Sequence, residues 1–181
     1  MEPASTFLPR FFDRGNPPLL DQGKRSGTLS LKAIQAIAAE NSDFFKVSKG
    51  RVALGLVFLW HDHWEEAHKI AQFDEGEFDH DLLHAIVHRR ENDFANSAYW
   101  FREAGENVAF EILSPRASKL LMDSASEIIP EKTRNLRDKI VPDGKWNPFG
   151  FLDTVKSKKF ESLSRALQAE EIIAFFEVLT A

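Results

Sequence analysis

Between Arg51 and Gly105 the chain matches itself when slid by 30 residues, and the match has helical rather than extended spacing. Val52 falls on Leu82, Gly55 on Ala85, Leu56 on Ile86, Val57 on Val87, Trp64 on Phe94 and Ala67 on Ser97. In each copy a small residue on the first helix lets the second approach, and an aromatic after the turn, with a small residue three later, packs into that approach. The segment therefore predicts two antiparallel helical hairpins, 51–61 with 64–74 and 80–91 with 94–105, stacked on one another.

The flanking segments also read as helical. Ser30 is a good N-cap for a helix carrying Leu31, Ile34, Ile37 and Ala38, which should end near Asn41-Ser42, with Gly50 punctuating the next start. Ser114-Pro115 and Ile129-Pro130 mark helix starts with proline in the first turn, Pro142-Asp143-Gly144 a turn, and Asn147-Pro148 the opening of a helix over 148–156. The last segment, 157–179, carries Phe160, Leu163, Leu167, Ile172, Ile173, Phe175, Phe176 and Leu179, a face dense enough to close a core. Residues 1–27, with four prolines, three glycines and Phe7, Phe11 and Phe12, predict an irregular arm anchored by its aromatics. No segment alternates with period two between hairpin turns. The expectation is an all-α fold, with residues 28–181 forming a single domain of about eight helices around the duplicated hairpin at 51–105.

Composition narrows the function. The 181 residues are 43% hydrophobic, with 16 Phe and 4 Trp, which is too apolar for a disordered chain. A net charge of -5 offers no broad positive field for a phosphate backbone, so nucleic acid is not an expected partner. The absence of cysteine removes disulfides, thiolate catalysis and cysteine-ligated metal sites. Val52 to Trp60, the longest apolar run, is less than half the ~20 residues of a membrane span, and Pro9-Arg10 interrupts any leader-like stretch. Neither a membrane association nor export is expected, and a cytoplasmic location is.

All six histidines lie between positions 61 and 88: His61, His63, His68, His80, His84 and His88. His84, His88 and Glu91 share one helix face, and His-x-x-x-His is a spacing that grips one metal ion. His61, Glu65, His68 and Gln72 fall on a similar stripe of the first hairpin and can supply a third or fourth ligand, and His61, His84, His88 and Glu91 are taken as the candidate site for a divalent metal such as zinc, iron, nickel or manganese. No Glu sits between the paired histidines as in the zinc-protease motif. The two Glu-x-x-His segments, at 65–68 and 77–80, are too close together for a di-iron bundle. His84 and His88 read first as hydrogen-bonded core residues, because the 30-residue offset sets them against Leu54 and Phe58, and only then as metal ligands or as acid–base or substrate-contacting groups. His63 and His80 fall in turns and are expected to be solvated.

Arg89 and Arg90 read either as a solvated helix end complementing the helix dipole or, with Arg102, as a clamp for a small anion. Trp100 can wall a pocket beside His84 and His88. The candidate polar site is thus His61, Asp62, His68, His84, His88, Arg89, Arg90, Glu91, Trp100 and Arg102.

Two resemblances follow from these segments. Residues 92–104 resemble the turn and second helix of a tetratricopeptide repeat, with a step of 30 residues in place of the usual ~34. Trp60-His61-Asp62, Glu66-Ala67-His68, Gln72, His84 through Glu91, Asp93, Asn96, Tyr99-Trp100-Phe101-Arg102 and Trp146-Asn147-Pro148-Phe149 together resemble a group of uncharacterised soluble bacterial and fungal proteins. Asp is expected at 147 and an acidic residue at 63 in that group; it carries no assigned reaction. The functional expectations are therefore an interaction module whose stacked hairpins hold a peptide or protein partner, and alternatively a small-molecule or metal-binding protein, with or without catalysis, built on His61, His84, His88 and Glu91. A purely structural or subunit-contact role is a third.

Overall fold

The computed structural model describes residues 10–40, 42–124 and 130–181, so the expectations for Phe7 and for Ile129 lie outside the described residues. Helix α1 (Leu31–Ala39) is capped by Ser30, whose hydroxyl accepts from the Ala33 N–H. It is followed by α2 (Ser42–Lys46), α3 (Ser48–Trp60), α4 (Trp64–Ala71), α5 (Phe78–Arg90), α6 (Phe94–Ala104), α7 (Val108–Asp123), α8 (Pro130–Ile140), α9 (Pro148–Lys156) and α10 (Glu161–Leu179). The protein is all-α, with ten helices among the described residues, one of them the five-residue α2.

The two hairpins share their backbone geometry at the 30-residue offset. Helices α3 and α5 start at 48 and 78, and α4 and α6 at 64 and 94. Between them, Asp62 and Asn92 both take left-handed conformations, with φ of 65° and 60°. Asp and Asn tolerate that region better than most side chains. The next N–H in each copy reaches back across the helix end, His63 to the Phe58 carbonyl at 2.9 Å and Asp93 to that of His88 at 3.0 Å. This pattern satisfies carbonyls that a helix end leaves open.

Small residues set how closely the hairpins stack. A Cβ added to Gly55 on α3 would lie 2.5 Å from Leu83 Cδ2 on α5 and 3.3 Å from Ile70 Cγ2 on α4, so one glycine admits both helices. In the second copy Ser97 is fully buried and donates to the Ala85 carbonyl at 2.8 Å, drawing α6 onto α5.

Helix α10 runs between two groups of buried side chains. Ile172, Ile173, Phe175 and Phe176 pack with the hairpins and α1, whereas Leu163, Leu167 and Ala174 pack with α7, α8 and α9. A helix apolar on most of its circumference belongs inside, as the sequence of this segment implied. Beyond the helical Arg10 and Phe11 the arm is irregular to residue 30, and it buries Phe11 and Phe12 edge-on against Phe45, Trp60 and Phe176.

Three expected boundaries move. Gly50 lies inside the first turn of α3 rather than before it, at a point where the Phe44 carbonyl occupies the place of any Cβ. Pro115 lies inside α7 instead of opening it. Asn107 caps that helix, and the buried stripe Ala109, Leu113, Ala117 and Leu121 runs straight through the proline. Helix α10 begins at Glu161, after Phe160 turns the chain in a left-handed conformation.

Candidate metal centre

The six histidines divide into two groups of three. His61, His63 and His80 are held by the frame. His61 Nε2 donates to the Phe11 carbonyl at 2.8 Å while its Nδ1 accepts from the Leu29 N–H at 3.1 Å, which fixes a neutral ring. Burial, above all, pushes the His61 pKa down to about 4, and the nearby positive charge of Arg25 adds to this. With both nitrogens engaged, His61 is removed from the expected ligand set. His63 donates to the Leu29 carbonyl at 2.9 Å, and His80, fully buried, donates to that of Ile70 at 2.8 Å. Neither is the solvated turn residue the sequence indicated, because the chain before α1 and the end of α4 fold over them.

The other three converge. His68 from α4 meets His84 and His88 from α5, and one ring nitrogen from each lies within 4.8 Å of the others. His68 Nε2 and His84 Nε2 are 3.0 Å apart. Glu91, at the C-cap of α5, joins two of the rings from behind, accepting from His68 Nδ1 at 3.0 Å and from His88 Nδ1 at 2.8 Å. A carboxylate oxygen accepts, so both Nδ1 atoms act as donors toward Glu91, and a ring that carries this one proton presents its Nε2 lone pair on the side away from Glu91. Glu91 thereby moves from the expected direct ligands to an orienting position.

His84 is the most enclosed member, 2% exposed, between Trp100 on one face and His88 on the other at ring-centre distances of 4.2 and 4.6 Å. Its Nδ1 is buried with no hydrogen-bond partner. Burial first, and then the charges His88 and His68 would carry, push its pKa down to about 3, so at neutral pH the ring is uncharged and free to act as a donor atom. The His68 and His88 side chains are 21% and 10% exposed, which leaves the cluster open to solvent on one side.

The remaining expected site residues go elsewhere. Asp62 lies in a separate clasp between the arm and the hairpins. Its carboxylate takes the Arg25 N–H at 2.9 Å, the Arg25 side chain at 3.0 Å and Arg90 Nη2 at 2.9 Å. Burial alone would raise the Asp62 pKa, but these donors outweigh it and hold it below the usual value. Arg90 also donates to the carbonyls of Leu59 and Asp21. Arg89 is fully buried, donating to Glu171 and to Gln168 on α10, with its guanidinium 4.7 Å from the Phe151 ring centre. Neither arginine is the expected anion clamp or solvated helix end, because each guanidinium is enclosed and spent on internal acceptors. Arg102 points away from the histidines, over the Phe149 ring at 5.8 Å, into a cleft of about 610 Å³ shared with Phe110 and Trp146. Sequence reading did not anticipate Glu171, Gln168 and Arg25, which lie far from their partners along the chain and in no recognisable pattern.

Among the described residues no helix is long and apolar enough to cross a membrane. No protein-family model, curated protein or solved structure matches the chain. The likenesses to tetratricopeptide hairpins and to the group of uncharacterised proteins therefore rest on the residues quoted for them alone.

Proposed function

We propose that the chain binds one divalent transition-metal ion, zinc in the first instance, through His68, His84 and His88, with a further coordination position open to solvent. The observation that carries this reading is the shared carboxylate: Glu91 holds the Nδ1–H of both His68 and His88 and so turns both Nε2 lone pairs outward from itself. Metal-bound imidazoles are oriented in the same way by outer carboxylates. The spacing agrees, since two nitrogens at 2.0–2.1 Å from a tetrahedral ion lie about 3.3 Å apart, against 3.0 Å for the His68 and His84 Nε2 atoms. In the neutral cluster one proton, that of His84, lies between those two nitrogens. An ion would take its place, with the His84 proton moving to the free Nδ1 of the same ring.

Three imidazoles and an open position leave room for a water molecule, whose acidity a bound zinc ion would raise enough to supply hydroxide near neutral pH. The residues themselves hold the ligands, exclude solvent behind His84 and leave access beside His68. A second reading is supported by the continuous hydrogen-bonded line from Glu91 through His68 to His84, which would carry a proton and make His84 a base without any metal.

Titration separates the two. The chelator-treated full chain, titrated calorimetrically with Zn²⁺, is expected to take up one ion, and Co²⁺ to give the visible absorption of a four-coordinate site. His68→Ala and His88→Ala, both at the open side, are expected to lose this binding while keeping the helical circular dichroism spectrum. Absence of stoichiometric uptake, or uptake unchanged in both variants, rules out the metal reading and leaves the proton relay.

A further inference from the structure

One cleft of the molecule is lined by a single sign of charge. Between α8, α9 and the turn before α10 lies a cavity of about 460 Å³, walled by Lys132, Asn135 and Lys139 from α8 and by Lys159 from the turn, with Leu136 and Phe160 as its apolar lining. No acidic residue lines it among the described residues. Residues 130–161 hold eight basic and five acidic side chains, whereas the whole chain has a net charge of -5. The five acids are placed elsewhere. Helical spacing turns Glu131 and Asp138 about 100° away from the face that Lys132, Asn135 and Lys139 share, and Asp138 meets Arg137 at 3.4 Å. Asp143 lines the cleft beside Arg102, and Glu161 the one beside Lys158. Asp153 lies outside the lining but meets Lys139 at 3.5 Å, so Lys139 is shared, while Lys132 and Lys159 form no ion pair among the described residues.

The turn that carries Lys159 is held in an unfavourable backbone. Lys158 and Phe160, on either side of it, take left-handed conformations with φ of 54° and 59°, a region that is costly for side chains of this kind. Ser157 Oγ ties the turn, accepting from the Lys159 N–H at 3.3 Å and donating to the Thr154 carbonyl at 2.7 Å. Strain of this kind gathers where a segment must hold a ligand, and a walled cleft of one sign concentrates counter-charge. We propose that the cleft binds a small organic phosphomonoester, its phosphate held by Lys132, Lys139 and Lys159 and its apolar part laid against Leu136 and Phe160. Lysine ammonium groups act as compact point charges suited to a phosphate that carries about two negative charges near neutral pH, whereas a carboxylate is gripped best by the arginine fork. The volume exceeds what a bare phosphate needs and falls in the range of small-molecule sites. The cleft shares no residue with the histidine cluster, so the inference stands apart from the metal reading.

The probe is phenyl phosphate, titrated calorimetrically into the chelator-treated full chain so that no metal at the histidines can hold the phosphate. One-to-one binding that weakens with salt is expected, with inorganic phosphate and benzoate each weaker by roughly ten-fold or more. Lys132→Gln/Lys159→Gln should lower the affinity roughly ten-fold or more. Both side chains are exposed, so the melting temperature should hardly move. Lys156→Gln/Lys158→Gln removes the same charge just outside the lining and should change the affinity less than about three-fold. No binding, inorganic phosphate or benzoate bound as tightly as phenyl phosphate, or equal weakening by the two double variants overturns the inference. Flotation with phosphatidic acid vesicles tests the lipid source of the same chemical group. Binding to the vesicles without binding to phenyl phosphate overturns the inference in favour of a membrane surface.

Discussion

A neutral histidine offers one donor and one acceptor, and the use of each nitrogen decides what the residue can do. His61 has both satisfied by backbone, whereas His84 ends its hydrogen-bonded line with a buried, partnerless Nδ1. Sequence spacing put His84, His88 and Glu91 on one face, and the structure keeps them together. It could not tell that His68 rather than His61 completes the group, because that depends on the stacking of α4 on α5. Nor could it tell that Glu91 stands behind the rings. That position makes a sharp prediction at the level of one atom. Glu91→Gln keeps the shape but can accept from only one Nδ1–H, and its amide presents N–H to the other ring. Zinc affinity measured by competition with a chelating dye is expected to fall about 10- to 100-fold, the cost usual for an outer-shell change, with little loss of helix content. An affinity equal to that of the unaltered chain would mean that Glu91 does not orient the rings.

Among the helices, those in the repeat were the most legible. Patterns of small and apolar residues report local packing, and local packing is what makes a hairpin, so α3 to α6 appear within a few residues of their expected ends. Two signals that act through the backbone alone were misleading, whereas Asn147-Pro148 opens a helix as expected. Gly50 and Pro115 both resemble punctuation, yet each sits within a helix because a buried stripe continues past it. Packing outweighs the ~1 kcal/mol that glycine and the ~3 kcal/mol that proline cost a helix interior. The obstruction at Gly50 is the Phe44 backbone, which cannot rotate away, whereas at Gly55 it is the end of the Leu83 side chain. Gly50→Ala should therefore destabilise by about 3 kcal/mol and Gly55→Ala by only about 1 kcal/mol after the gain in helix propensity. Urea denaturation of both variants checks the order. The reverse ranking would mean that α2 and α3 are not in such close contact.

The whole molecule is tied together by polar groups enclosed between distant segments. Arg89 joins α5 to α10, and the Asp62 clasp with His61 joins the arm to the first hairpin. These pairings were illegible in the sequence because their partners come from separate elements with no shared period. They make stability depend on pH in a definite sense. The folded His61 pKa, about 4, lies below the ordinary value of 6.5, so the unfolded chain takes up the proton first as pH falls. The stabilisation is complete above about pH 6.5 and is lost progressively down to about pH 4, below which this group contributes no further change. Asp62, also held below its usual value, acts in the same direction at lower pH, as the folded carboxyl finally protonates and releases Arg25 and Arg90. Between pH 7 and pH 5 His61 alone removes about 2 kcal/mol, a large share of the 5–15 kcal/mol that holds a typical domain. A fold stabilised by carboxylates alone would lose little before about pH 5. Urea midpoints of the chelator-treated chain should therefore fall clearly from pH 7 to pH 5, and His61→Gln, itself less stable at pH 7, should show a shallower fall. Midpoints level over that range would show that His61 is not held neutral by the arm, and would remove the arm from the elements that stabilise the fold.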